Sequence, residues 1–228
     1  WQTGQTAKVH CGKAVHVLGF AHVKIICYDH NCDNIDFPRY VAQSQYVSGS
    51  AFHLYSGNIS ALTQCHSLTG KDVYFTEQYT GDGDLGGDYS WHMQNVMIGS
   101  MQNWSRCAIE WNLASDPSFG PHTDGGCTTC KGGVTISGGK VTGHNASYYI
   151  VGTMSKVVRT GALRVESTGA SDFKSVAFRN ADGSLAVVAY NKSGANRKLS
   201  IKFGTDFVTY TVPRDGCVSI LIPEATAP

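Results

Sequence analysis

The first group in this sequence whose setting suggests chemistry is a carboxylate that closes a short apolar run. In Lys71-Asp72-Val73-Tyr74-Phe75-Thr76-Glu77-Gln78-Tyr79-Thr80-Gly81, the residues Val73, Tyr74 and Phe75 favour a buried extended strand. The run stops at Glu77 and gives way to a glycine-rich stretch from Gly81 to Gly87. An acid there costs desolvation energy unless it is paired or used. As one of two carboxyl groups about 5–5.5 Å apart, it would suit the nucleophile of a double-displacement glycosidase. The alternative is a strand end that only meets solvent.

Other polar groups close neighbouring apolar runs. Ser50-Ala51-Phe52-His53-Leu54-Tyr55 brings His53 and Tyr55 to one strand end, and Cys107-Ala108-Ile109-Glu110-Trp111-Asn112 brings Trp111 to another. There His53 and Tyr55 would orient Glu77, and Trp111 would offer a flat face to a sugar ring. Equally, His53 and Tyr55 could be hydrogen-bonded core residues. Glu110 directly precedes Trp111, so the two point to opposite sides of an extended chain. With Trp111 in a pocket, Glu110 faces the helices as a structural group. Asp29, in Tyr28-Asp29-His30-Asn31, is a possible second carboxylate or a local turn hydrogen bonder.

Cys127-Thr128-Thr129-Cys130, with His122 nearby, has the residue types of a zinc site. A single C-x-x-C without a matching second pair points instead to a disulfide, and no metal is expected. Cys32 and Cys65 are a further disulfide candidate between neighbouring loops.

The elements that must carry these groups alternate. Residues 5–20 read as a helix with Ala7, Cys11, Ala14, Val15 and Leu18 close to one face, followed by a short strand over Lys24–Tyr28. A helix near Pro38–Tyr46, the strand Ser50–Tyr55, a helix over Asn58–Cys65 and the strand ending at Glu77 come next. Ser90 is placed to cap a helix over Trp91–Trp104, and the strand Cys107–Asn112 closes the series. Four strand–helix alternations with polar carboxyl ends are the signature of parallel βα units, either half a closed barrel or a doubly wound sheet. Residues 114–145, rich in Gly, Pro, Asp and Thr, read as a long functional loop. Asn145 is placed to cap a helix through Tyr148, Ile150, Met154 and Val157.

From Gly161 the pattern becomes short strands: Leu163–Glu166, Ser175–Arg179, Leu185–Tyr190, Lys198–Phe203, Phe207–Val212 and Cys217–Ile222. Turn signals at Ala181-Asp182-Gly183 and Arg214-Asp215-Gly216 separate some of them. That is an all-β module, most simply a sandwich. The expected domains are therefore 1–160 and 161–228.

Composition limits the partners. The 228 residues carry a formal net charge of +1 without blocks of like charge, which argues against a nucleic-acid surface or a polybasic membrane anchor. No apolar run approaches the length of a membrane span. Eight cysteines and the sequons at Asn58, Asn103, Asn145 and Asn191 point to an oxidising, secretory route, with a secreted or lysosomal destination and glycosylation at those four asparagines. The chain begins at Trp1 without Met or a leader, which reads as a processed product, a fragment or part of a longer chain.

The ordered set Lys24-Ile25-Ile26, Tyr28-Asp29-His30-Asn31, Ser50-Ala51-Phe52-His53 with Tyr55, Phe75-Thr76-Glu77-Gln78, Asn103-Trp104-Ser105 and Glu110-Trp111-Asn112-Leu113 resembles glycoside hydrolase family 30, the glucosylceramidases and endo-β-1,6-glucanases. Gly120-Pro121-His122-Thr123, Tyr148-Tyr149, Ser155-Lys156 and Val176-Ala177-Phe178-Arg179-Asn180 extend the resemblance over nearly all the chain from about residue 20. It implies α/β plus all-β architecture: the carboxyl half of a (β/α)8 barrel, strands five to eight, followed by a β-sandwich. It also implies a retaining mechanism on a β-linked glucoside or glucan, with no cofactor. Glu77 would be the nucleophile, ending the seventh strand. His53 and Tyr55, ending the sixth, and Trp111, ending the eighth, would bind substrate.

The sequence departs from the family in one respect. The family's acid/base is a Glu in an Asn-Glu-Pro motif ending the fourth strand, and no Asn-Glu-Pro occurs here. A half barrel also leaves two parallel edges open. The expected partners are a carbohydrate or glycolipid substrate and a cover for those edges: the other barrel half, another chain or self-assembly. Two functions follow from this reading. One is a retaining glycosidase whose carboxyl half is inactive alone for want of its acid. The other is a non-catalytic secreted glycoprotein with a structural, storage or glycan-binding role.

Overall fold

A computed structural model of the protein describes residues 19–20, 22–83 and 85–224. The helix expected over 5–20 falls, but for its last two residues, outside them. The described residues form two compact units, those up to 78 with 100–109 and those of 79–99 with 110–224.

The first unit is built on four parallel strands in sequential order: β1 (Ile25–Cys32), β2 (Val47–Gly57), β3 (Asp72–Glu77) and β4 (Ser105–Ala108). Helix α1 (Asp36–Val41) joins β1 to β2, and α2 (Ala61–Thr69) joins β2 to β3. Parallel neighbours need such crossovers, because a tight turn cannot return the chain in the same direction. In β3 the residues alternate, with Val73 and Phe75 fully buried and Tyr74 and Thr76 partly open. Phe52 of β2 and Leu62 and Cys65 of α2 are buried completely.

Helix starts differ from the sequence reading where side chains cap from further back. Asn34 Oδ1 accepts from the Asp36 and Phe37 amides, so α1 starts two residues before Pro38. Asn58 Oδ1 accepts from Ser60 N, and α2 starts at Ala61 and runs to Thr69, beyond the expected Cys65. Gly70, in the left-handed region, closes α2.

The second unit opens with α3 (Leu85–His92), which continues through a π-helical turn (Met93–Met97) towards α4 (Ile98–Gln102). Ser90 therefore sits inside a helix and caps nothing. Its hydroxyl lies 2.6 Å from Tyr190 Oη, and Asp88 in the first turn accepts from Gly81 N instead. The expected loop over 114–145 holds a three-stranded sheet of β5 (Ala114–Ser115), β6 (Val134–Ser137) and β7 (Lys140–His144). Helix α5 (Ala146–Ser155) follows.

The remaining strands are β8 (Leu163–Val165), β9 (Phe173–Arg179), β10 (Leu185–Asn191), β11 (Arg197–Phe203), β12 (Asp206–Val212) and β13 (Cys217–Ile222). They form an antiparallel sheet in the order β13-β10-β9-β8 and a β11-β12 hairpin. Phe173, Ala189 and Val212 form a buried cluster with Leu199 and Val218 packed against it. No helix among the described residues is long and apolar enough to cross a membrane.

Candidate active site

Among the register shifts towards the carboxyl ends of β1, β2 and β3, two fall beside the polar groups. Between β1 and β2, Tyr28 pairs with Ala51 and His30 with Phe52, so Asp29 is left over. Between β2 and β3, Phe52 pairs with Phe75 and His53 with Glu77, so Thr76 is left over. These are β-bulges, which bend a strand and re-aim its side chains. Tyr28 and Asp29 both take positive φ, 80° and 53°, a conformation that costs a non-glycine residue strain.

The slips gather the polar groups. Thr76 Oγ1 donates to Asp29 Oδ1 at 2.7 Å, and His53 Nε2 donates to the same oxygen at 3.0 Å. His53 Nδ1 lies 3.6 Å from Glu77 Oε1, and Tyr55 Oη donates to that oxygen at 3.1 Å. Asn31 Oδ1 accepts from Tyr55 N and Gln78 Oε1 from Leu54 N, which ties the strand ends together. The His53 side chain is 13% exposed and that of Glu77 31%, so the imidazole is held inside while the carboxylate reaches an open surface. The Thr76 hydroxyl chiefly holds the Asp29 carboxyl below the usual carboxylate range; burial opposes it, and the His53 bond and charge add smaller downward contributions.

Thus Glu77, His53 and Tyr55 meet in the first unit, with Asp29 attached to them through His53. Thr76 escaped the sequence reading. A Thr beside a strand-end Glu is ordinary, and only the bulge turns it towards Asp29.

Trp111 belongs to the second unit and lies beyond β4, which ends at Ala108 rather than at the expected Asn112. Trp111 forms a parallel bridge with Tyr79, and the peptide bond to Asn112 is cis. Glu110 turns inward. His92 Nδ1 donates to Glu110 Oε1 at 2.8 Å with both side chains buried, and Glu110 Oε2 has no hydrogen-bond partner among the described residues. Burial pushes the Glu110 carboxyl up, the His92 bond opposing it.

The cysteine and sequon expectations divide. Cys127 and Cys130 form a disulfide, and no group of His, Cys, Asp and Glu that could hold a metal ion exists among the described residues. Cys32 and Cys65 are not joined, which corrects the pairing expected for them. Cys65 points from α2 into the sheet near Ser50, while Cys32 is buried at the far end of β1, where burial pushes its thiol up to about 12.

Asn58 is exposed and Asn103 half-buried, with Asn103 Oδ1 accepting from Thr63 Oγ1 at 2.8 Å. Asn191 is completely buried, and its Nδ2 donates to the carbonyls of Ala195, Val212 and Pro213. That nitrogen has no room for a glycan, so the expected glycosylation there is corrected. Asn145 Nδ2 is likewise spent on Gly132 O and Thr135 Oγ1, at 2.7 and 2.9 Å, and the same correction applies. Asn145 stands at the N-cap of α5, but its side chain makes no capping bond.

The fold and the cluster define a class: an α/β protein with a carboxylate site at the carboxyl ends of parallel strands, followed in sequence by antiparallel sheets. Residues 161–220 match the glycosyl hydrolase family 30 beta sandwich domain. Endo-1,6-beta-D-glucanase neg1 of Aspergillus fumigatus is 32% identical over 207 residues, covering 85% of this chain and 41% of its own length. Endo-1,6-beta-D-glucanase BGN16.3 of Trichoderma harzianum is 34% identical over the same length and shares. The solved structure of the endo-beta1,6-glucanase BT3312 superposes with a TM-score of 0.85 at 31% identity, covering 93% of this chain and 51% of that one. The chain belongs to glycoside hydrolase family 30. It spans 41% of the length of the curated relatives it matches.

Proposed function

We propose that the chain carries the nucleophile side of a retaining glycoside hydrolase site acting on a β-1,6-linked glucan. The observation that carries this reading is the setting of Glu77. Its Oε1 accepts from Tyr55 and faces His53, which leaves Oε2 to attack. Relatives that are endo-1,6-β-glucanases support the substrate class.

In the first step Glu77 attacks the anomeric carbon, the bond to the leaving oxygen breaks, and a glycosyl ester forms with inverted configuration. Water then hydrolyses the ester with a second inversion, for net retention. Tyr55 holds the carboxylate by a hydrogen bond and His53 faces the same oxygen.

We read the parallel sheet as strands five to eight of a (β/α)8 barrel, with β1 and β4 as its open edges. Their end positions in the sheet and the exposure of Ile26 support this. The cover for those edges is the other barrel half, another chain or a second copy. The Cys127–Cys130 disulfide and the exposed Asn58 sequon support a secreted protein.

No Asn-Glu-Pro motif occurs in the 228 residues, so the test uses a substrate that needs no general acid. Incubation with 2,4-dinitrophenyl 2-deoxy-2-fluoro-β-glucoside is expected to release dinitrophenolate once per site. The label should be found on the Glu77 peptide and be absent from Glu77→Gln. Labelling of another residue, or equal labelling of Glu77→Gln, overturns the assignment. Substrates with poor leaving groups are expected to react about 10²–10⁴-fold more slowly without an acid.

A further inference from the structure

We infer that Asp29 is a positioning residue for Glu77, acting through His53, and that the two bulges exist to place it there. This rests on the reading of Glu77 as nucleophile. Asp29 and Thr76 are the residues left over from pairing on the two strands that flank β2, and they meet over it. Their shared oxygen, Asp29 Oδ1, is also the acceptor for His53 Nε2.

A carboxylate can only accept, so this bond fixes a proton on Nε2 and turns Nδ1 towards Glu77 Oε1, 3.6 Å away, an oxygen the ring attracts when Nδ1 carries a proton as well. Without it the ring is free to rotate, and Nδ1 need not face Glu77. The titratable groups facing His53 are Asp29 from β1, Glu77 from β3 and Tyr55 from its own strand. Asp29 itself is largely exposed. Yet it is held in a strained left-handed conformation, which indicates that the chain accepts strain to keep its carboxylate at this spot.

Asp29 has a step to influence. As Glu77 Oε2 bonds to the anomeric carbon and the electron pair of the broken bond leaves on dinitrophenolate, the carboxylate loses its charge. An imidazolium bonded to Asp29 through Nε2–H keeps Oε1 in place through Nδ1–H while Oε2 reacts. A misplaced carboxylate loses rate steeply, roughly tenfold to a hundredfold for about 1 Å.

The experiment uses the whole chain in wild-type form and as Asp29→Asn, Asp29→Ala and Thr76→Val. Two quantities are read: the rate of fluoroglucoside labelling against pH, and the hydrogen bonding of the two His53 ring nitrogens by imidazole ¹⁵N NMR. Asn suits the left-handed backbone and keeps an acceptor oxygen, so Asp29→Asn folds even where Asp29→Ala does not.

In Asp29→Ala the labelling rate is expected to fall roughly tenfold to a hundredfold, with the hydrogen bond at Nε2 lost from the ¹⁵N spectrum. In Asp29→Asn the Nε2–H bond is kept by the amide oxygen, and the labelling rate falls less than in Asp29→Ala. Thr76→Val moves both readouts in the direction of Asp29→Ala.

Variants whose rates, pH profiles and His53 signals all match wild type overturn the inference while Glu77 labelling stands. So does a rate loss that only follows the unfolded fraction, with the His53 signals unchanged. Failure of wild type to label at Glu77 overturns the glycosidase reading instead. The NMR readout then still decides whether Asp29 controls the imidazole.

Discussion

Thr76 and Asp29 sit on strands that do not pair with each other, yet Thr76 Oγ1 donates to Asp29 Oδ1 at 2.7 Å across the intervening β2. Each is the residue its strand has in excess. The bond therefore couples the registers of three strands at the level where Glu77 emerges.

A pH dependence follows from that bond. Asp29 titrates below its ordinary value of 3.8 in the folded protein, chiefly through Thr76. Its stabilisation is complete above that ordinary value and is lost as pH falls through the lower, folded one. Asp29→Asn is thus expected to be less stable than wild type at neutral pH, with the difference closing as pH falls below 3.8. Urea unfolding of both proteins at several pH values checks this, and a gap that stays constant into acid contradicts it.

The buried pair of His92 and Glu110 carries the opposite sign. Burial raises the Glu110 carboxyl above its ordinary value of 4.5. Its contribution is present below that value and declines as pH rises through the folded one. Glu110→Gln is therefore expected to gain stability relative to wild type as pH rises above 4.5. Glu110→Ala leaves His92 buried without its partner and should cost about 3 kcal/mol, read from the urea midpoint.

The asparagines separate glycan sites from structural ones. In secreted material, peptide mass mapping is expected to find a glycan at Asn58 and none at Asn145 or Asn191. Asn191→Ala should destabilise the protein by about 1–3 kcal/mol, because three buried carbonyls lose a donor. A glycan on the Asn191 peptide of folded protein would refute the packing described for β10.

The thiols should show the same division under alkylation. With burial pushing its thiol up to about 12, Cys32 is expected to react with iodoacetamide only after denaturation, as is the buried Cys65. Cys127 and Cys130 should react only after reduction. Recovery of a Cys32–Cys65 cross-linked peptide from unreduced protein would reverse the assignment.

Much of the architecture was legible because it rests on local patterning. The β-branched and aromatic run before Glu77 gave β3 to within one residue. The alternation between Gly161 and Ile222 gave all six strands β8–β13, because period-two burial and turn residues need no distant partner to be read. Elements governed by contacts further along the chain were misread. Gly86 and Gly87 discouraged a helix that nonetheless begins at Leu85, and Ser90, which resembles a cap, is committed to Tyr190. The strand towards Asn112 ends at Ala108, four residues early, and Glu110 turns in to His92.

Residue types and their order determined the family, the parallel and antiparallel halves of the pattern, and the candidacy of Glu77, His53 and Tyr55. Only the tertiary structure decided which acids and amides are accessible. Asn191 and Asn58 carry the same short motif, but one is buried beneath carbonyls and the other faces solvent. It also decided that Asp29 belongs to the site. A one-residue slip in pairing is invisible to a pattern of period two, yet it turns a side chain to the other face of the sheet. Two such slips on either side of β2 are what bring Asp29, Thr76 and His53 within hydrogen-bonding distance.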